Sequence, residues 1–108
     1  MEHLHYRFSG GRRLAAGKAE VVGVVASGNL EVLIEPAVLD GACTVDIDTP
    51  VLGFAAVWKA VVADFFARHG LGDVRISIND SGATPATVAL RLDQAVEEYL
   101  GPSEERPA

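Results

Sequence analysis

Cysteine is nearly absent: Cys43 stands alone, so no internal disulfide framework is available and a reducing compartment is expected. Positive charge is also scarce. Nine Lys and Arg face fifteen Asp and Glu, a net charge of −6. That balance disfavours nucleic acid as a partner, because phosphate neutralisation needs a concentrated basic surface. No apolar run approaches the length of a membrane span, and Met1-Glu2-His3 lacks the basic-then-apolar pattern of a secretory signal. A cytoplasmic protein without a membrane span is therefore the expectation. Catalytic constellations are missing as well. No Ser/His/Asp set falls together, no loop has the P-loop pattern, and no paired acids share a helix face. His3 and His5 put two imidazoles on one strand face, but no third ligand is suggested nearby, so no metal is expected. Arg12 and Arg13, with Lys18 in the same small-residue loop, read as solvated rather than phosphate-binding.

What is present suits a folded domain. With 108 residues, 49 % hydrophobic and 22 % charged, the chain can bury a core without staples. One domain over residues 1–101 is expected, with residues 102–108 as a disordered tail beyond the Gly101-Pro102 stop.

The chain is organised around Glu20–Glu35, EVVGVVASGNLEVLIE. Two β-branched apolar runs flank Ser27-Gly28-Asn29, and Gly28-Asn29 is a dipeptide that closes tight hairpins because both residues tolerate positive φ. Leu30, Val32 and Ile34 alternate with Glu31 and Glu35, giving one buried and one wetter face. Ser27 then lies at the hairpin tip, where turn chemistry alone is enough to account for a serine.

Before this hairpin, Leu4, Tyr6 and Phe8 alternate with His3, His5 and Arg7 in an edge-like strand. After it, Cys43, Val45 and Ile47 alternate with Thr44, Asp46 and Asp48, which places Cys43 in the core rather than as a nucleophile. Thr49-Pro50 reads as a helix cap followed by a first-turn proline. Phe54, Val57, Trp58, Val61, Val62, Phe65 and Phe66 then form a broad helical stripe that should seal the sheet, stopped by His69-Gly70. The opposite side carries Ala55, Ala56, Ala60, Ala63 and Ala67, which fit helix propensity or a close contact with another subunit. Val74, Ile76 and Ile78 mark a fifth strand, and Thr84-Pro85 opens a second helix with Val88, Ala89, Leu92, Ala95, Val96 and Tyr99 on its apolar side. The expected fold is α+β: a two-layer sandwich, with a largely antiparallel sheet of about five strands and two helices on one face.

Three blocks, VVGVVASGNLEVLIEP, GFAAVWKAVVADFF and ISINDSGATPATVALRLDQAVEE, together resemble the acyl carrier (delta) subunit family of bacterial malonate decarboxylase, related in role to the citrate lyase acyl carrier protein. The likeness runs through nearly the whole chain. It implies a non-catalytic carrier of acetyl and malonyl thioesters. The serine of the family's VGVVxSG(D/N)LEV segment, Ser27 here, would bear 2′-(5″-phosphoribosyl)-3′-dephospho-CoA through a phosphodiester. Gly28 and Asn29 would form the turn beside it, Asn29 standing where many relatives have Asp. The NDxGATP loop, Asn79-Asp80 and Gly82-Ala83-Thr84-Pro85, would serve loop conformation and docking. Implied partners are the acyltransferase and decarboxylase subunits, the prosthetic-group transferase, and the malonyl transferase that primes the carrier. Two other readings stay open. Asp80-Ser81 imitates the Asp-Ser of carriers bearing 4′-phosphopantetheine, although those are helical bundles. A small interaction or regulatory domain using the alanine face is the other.

Overall fold

The computed structural model describes residues 1–11, 23–27 and 29–100, without the side chains of residues 23–27 and Leu100. The elements run β1 (Glu2–Phe8), β2 (Gly23–Ser27), β3 (Leu30–Pro36), β4 (Cys43–Thr49), α1 (Ala55–His69), β5 (Val74–Asp80) and α2 (Pro85–Leu100). The strands form one sheet in the order β1-β4-β5-β3-β2. Three pairings are antiparallel, and β4 pairs with β5 in parallel. The parallel pair follows from its connection, since α1 carries the chain back to the starting end of the sheet. The β2–β3 hairpin supplies one edge of the sheet, and β5 occupies the middle. Residues 12–22, with the loop cations Arg12, Arg13 and Lys18, and Gly28 lie outside the described residues, as do residues 101–108, where the tail was expected.

Alternation decides which face is buried. Leu30, Val32 and Ile34 of β3, Cys43, Val45 and Ile47 of β4, and Val74, Ile76 and Ile78 of β5 form one layer of the core. Trp58, Val62 and Phe65 of α1, with Val88, Leu92, Ala95, Val96 and Tyr99 of α2, cover it from the same side. The two-layer α+β class read from the periodicities is the observed one. Phe8 stacks on Phe66 at 5.1 Å between ring centres, fixing edge strand β1 to α1. On the opposite face, register places His5 against Asp46, with Nδ1 to Oδ1 at 2.6 Å, and His3 against Asp48, so both imidazoles meet carboxylates.

Two expectations fail here for stated reasons. Thr49 does not cap a helix. It ends β4 opposite Glu2, the following Pro50 disfavours helical backbone at Thr49, and Gly53 takes φ +84°. Helix α1 begins only at Ala55, behind Phe54, which caps it without a side-chain hydrogen bond. The apolar stripe is also narrower than read: Phe54, just before α1, is 53 % exposed and Val57, in its first turn, 41 %. The alanine side faces outward, with Ala55, Ala56, Ala60 and Ala67 exposed and Ala63 half-buried.

At the α2 start the sequence reading holds. The Thr87 N–H donates to Thr84 Oγ1 at 3.2 Å, a helix cap, and Pro85 is the first helical residue. At the α1 end, Gly70 takes φ +58° and its N–H donates to the Phe66 carbonyl.

Candidate functional site

Sheet register brings three loops to one end of the molecule. Both β4 and β5 point their carboxyl ends there because they are parallel, so the approaches to α1 and α2 leave from neighbouring points. The β2–β3 turn is at the same end, since Ser27 pairs with Leu30 and Leu30 with Asp80. The backbone of Ser27 is the last rung of β2, an edge strand, and two residues separate it from Leu30. Of those two, Asn29 is an exposed turn residue and Gly28 lies outside the described residues.

The turn is tied to the β5–α2 loop. The Ser81 N–H donates to the Asn29 carbonyl at 2.9 Å. Ser81 itself is exposed, so the two serines singled out in the sequence belong to adjoining segments.

Asp80 holds this loop. It is only 3 % exposed, and its Oδ2 accepts a hydrogen bond from Thr49 Oγ1 at 2.7 Å. Its Oδ1 accepts from the N–H groups of Gly82 at 3.1 Å and Ala83 at 2.8 Å. Thr49 Oγ1 in turn accepts from the Val51 N–H at 3.1 Å. A buried carboxylate is tolerated only when its oxygens are satisfied, and three donors do that here. Gly82 adopts φ +106°, a backbone state that a side chain would strain. The loop reading for Asn79-Asp80 and Gly82-Pro85 thus acquires a mechanism.

Thr49 and Asp80 as partners were missed in the sequence, yet a signal existed. Thr49 continues the apolar alternation of Cys43, Val45 and Ile47, and Asp80 that of Val74, Ile76 and Ile78. Polar residues in inward register on two strands need a buried partner, and each is the other's.

Beside the loop lies an apolar groove of about 250 Å³. Val51, Phe54, Val57, Trp58 and Val61 form one wall, and Asp80 with Gly82–Pro85 and Val88 the other. Trp58 lines it while only 6 % exposed. Periodicity assigned Phe54 and Val57 to the core, and their partial exposure is what leaves this groove open.

No group of three or more potential metal ligands occurs among the described residues, and no helix there is long and apolar enough to cross a membrane. Cys43 is buried at the far end of β4, where loss of hydration pushes its thiol up to about 12.

Known proteins resemble this chain along nearly its whole length. Residues 17–99 match the family described as malonate decarboxylase delta subunit (MdcD). A malonate decarboxylase acyl carrier protein from Stenotrophomonas maltophilia (strain R551-3) is 63 % identical over 102 residues, covering 94 % of this chain and 96 % of that one. One of the same description from Xanthomonas axonopodis pv. citri is 60 % identical over 94 % of this chain and 97 % of that one. A chain in the crystal structure of a Pseudomonas malonate decarboxylase hetero-tetramer in complex with malonate superposes with TM-score 0.76 at 35 % identity. It is matched over its whole length and covers 94 % of this chain. By sequence, extent and fold, the chain belongs to the malonate decarboxylase delta-subunit family.

Proposed function

We propose that this chain is the acyl carrier subunit of a malonate decarboxylase, catalysing nothing alone and bearing 2′-(5″-phosphoribosyl)-3′-dephospho-CoA on Ser27. When bound, that group supplies a thiol that holds acetyl or malonyl as a thioester. The observation that carries the reading is the place of Ser27 on the backbone, as the last rung of an edge strand beside an exposed turn. Among the described residues β2 has a strand neighbour on one side only, which suits a bulky substituent at its end. The donor chemistry also fits, since a phosphodiester to protein needs a hydroxyl and this segment contains one, followed in sequence by Gly28 and Asn29.

A carrier on a long arm serves several active sites in turn because tethering raises the effective concentration of its cargo. The partners required are an acyltransferase subunit, the decarboxylase subunits, the prosthetic-group transferase and the malonyl transferase that first primes the arm. Each docking must be reversible, so modest polar contacts suit it better than a large apolar seal.

Ser27→Ala and Ser81→Ala proteins, co-produced with the modifying enzymes, test the assignment by intact mass. Ser27→Ala should lack the added mass and Ser81→Ala should retain it. The reverse pattern would favour a group on Ser81, whose exposed side chain occupies the adjoining loop. Unmodified protein in both cases, beside an unmodified wild type, would favour a non-carrier role.

A further inference from the structure

No described residue of the β2–β3 turn lines the groove between the start of α1 and the β5–α2 loop. Its size suits a group smaller than a nucleotide. At about 250 Å³ it falls below the roughly 300–1,000 Å³ of sites that engulf drug-sized ligands. Its chemistry disfavours a cation-seeking or phosphate role: among the described residues its lining has no Lys, Arg or His, and its one charged residue is Asp80. That carboxylate already accepts from Thr49, Gly82 and Ala83. A small uncharged apolar group is what such a surface accepts.

Position supplies the occupant. Ser27, Leu30 and Asp80 are consecutive rungs on β2, β3 and β5. Two interstrand spacings separate Ser27 from Asp80, about 10 Å between Cα atoms. The loop forming one wall is hydrogen-bonded through Ser81 to Asn29, two residues from Ser27. An arm leaving Ser27 therefore starts next to the groove, and a pantetheine chain is longer than that distance when extended. We infer that the groove receives the acyl-thioester end of the arm and prefers acetyl to malonyl. This rests on the proposal that Ser27 bears the arm.

The preference follows from charge. Placing a malonyl carboxylate in an apolar groove beside the Asp80 carboxylate carries a desolvation penalty and adds like-charge repulsion. An acetyl group carries neither. The acetylated arm folds back out of water, and the malonylated arm stays extended towards a partner. The groove thus separates the waiting state of the carrier from its reactive one.

The experiment uses the full chain in three forms: unmodified, acetyl-loaded and malonyl-loaded, each verified by intact mass and by a modified peptide containing Ser27. Two-dimensional NMR then reads the Trp58 indole and the methyl groups of Val57, Val61, Ala83 and Val88. Acetyl loading should shift these signals and show magnetisation transfer from a labelled acetyl methyl, whereas malonyl loading should leave them near the unmodified positions. Val57→Glu, at a half-exposed position that tolerates a polar side chain, should abolish the acetyl-dependent shifts. Groove signals that stay put in a protein proven acetylated on its Ser27 peptide would overturn the inference and leave the attachment standing. Equal shifts from both acyl groups would overturn the preference. Absence of any modification on the Ser27 peptide would overturn the attachment, and the inference with it.

Discussion

The Ser81 N–H donates to the carbonyl of Asn29 at 2.9 Å, joining the turn after Ser27 to the loop that opens α2. The loop holds its shape through Asp80, and Asp80 through Thr49. Removing the hydroxyl in Thr49→Val leaves a buried carboxylate oxygen short of its donor, at roughly 1–3 kcal/mol in stability. Urea denaturation should read that loss. Hydrogen exchange at the Ser81 amide should speed up beyond the global change, and unchanged exchange would separate the loop from the turn.

The core should answer to its heaviest members. Trp58→Ala and Phe65→Ala each remove a buried aromatic side chain that packs α1 on the sheet, and each should cost roughly 3–5 kcal/mol through lost burial and a residual cavity. Calorimetry or denaturant melts would show a much smaller effect if α1 packed loosely.

How much of this was legible in the sequence depends on the element. Strands β3, β4 and β5 announced their buried faces because alternation is a local property, and Thr84-Pro85 and His69-Gly70 marked helix ends by cap chemistry. The start of α1 was misread because Thr49-Pro50 matches a helix cap only locally, whereas the pairing of Thr49 with β1 and Asp80 is non-local. Strand order was illegible for the same reason. The groove was hidden because periodicity places Phe54 and Val57 on the apolar side of α1 without saying what packs against them. The two serines could be named from the sequence, but their being neighbours through Asn29 and Ser81 required the register of β3 on β5.

Gly72 should tolerate no side chain. A Cβ there would lie 2.6 Å from the Gly11 carbonyl carbon and 2.7 Å from the Gly41 oxygen, backbone atoms with nowhere to go. Gly72→Ala should lower the melting temperature by more than Gly10→Ala, where no atom lies within 4 Å but φ is +79°. Equal effects would mean that backbone strain, and not the close approach, governs both sites.

Acid sensitivity should pass through Asp93. Burial pushes its carboxyl up, but hydrogen bonds from His69 and Arg68 outweigh burial and hold it below the ordinary carboxylate value. A depressed folded-state pKa contributes stability above the ordinary value of 3.8 and loses it as pH falls from there through the folded pKa. Asp93→Asn should therefore flatten the acid limb of the stability curve below about pH 4. An unchanged limb would make the Arg68–Asp93–His69 bridge between α1 and α2 energetically silent.

An acidic carrier read by basic partner surfaces should show on-rates that fall with salt. Acyl transfer from the acyltransferase subunit to Asn29→Lys carrier should depend on ionic strength differently from transfer to wild type. Identical rates throughout a salt series would remove the turn from the recognition surface.

The central claim is tested most directly by residue-level fragmentation mass spectrometry of the chain purified from cells that carry the complete decarboxylase system. The account predicts a phosphodiester-linked phosphoribosyl-dephospho-CoA mass on Ser27 and none on Ser81. A group found on Ser81, or a Ser27 unmodified in protein that supports malonate decarboxylation, would contradict it.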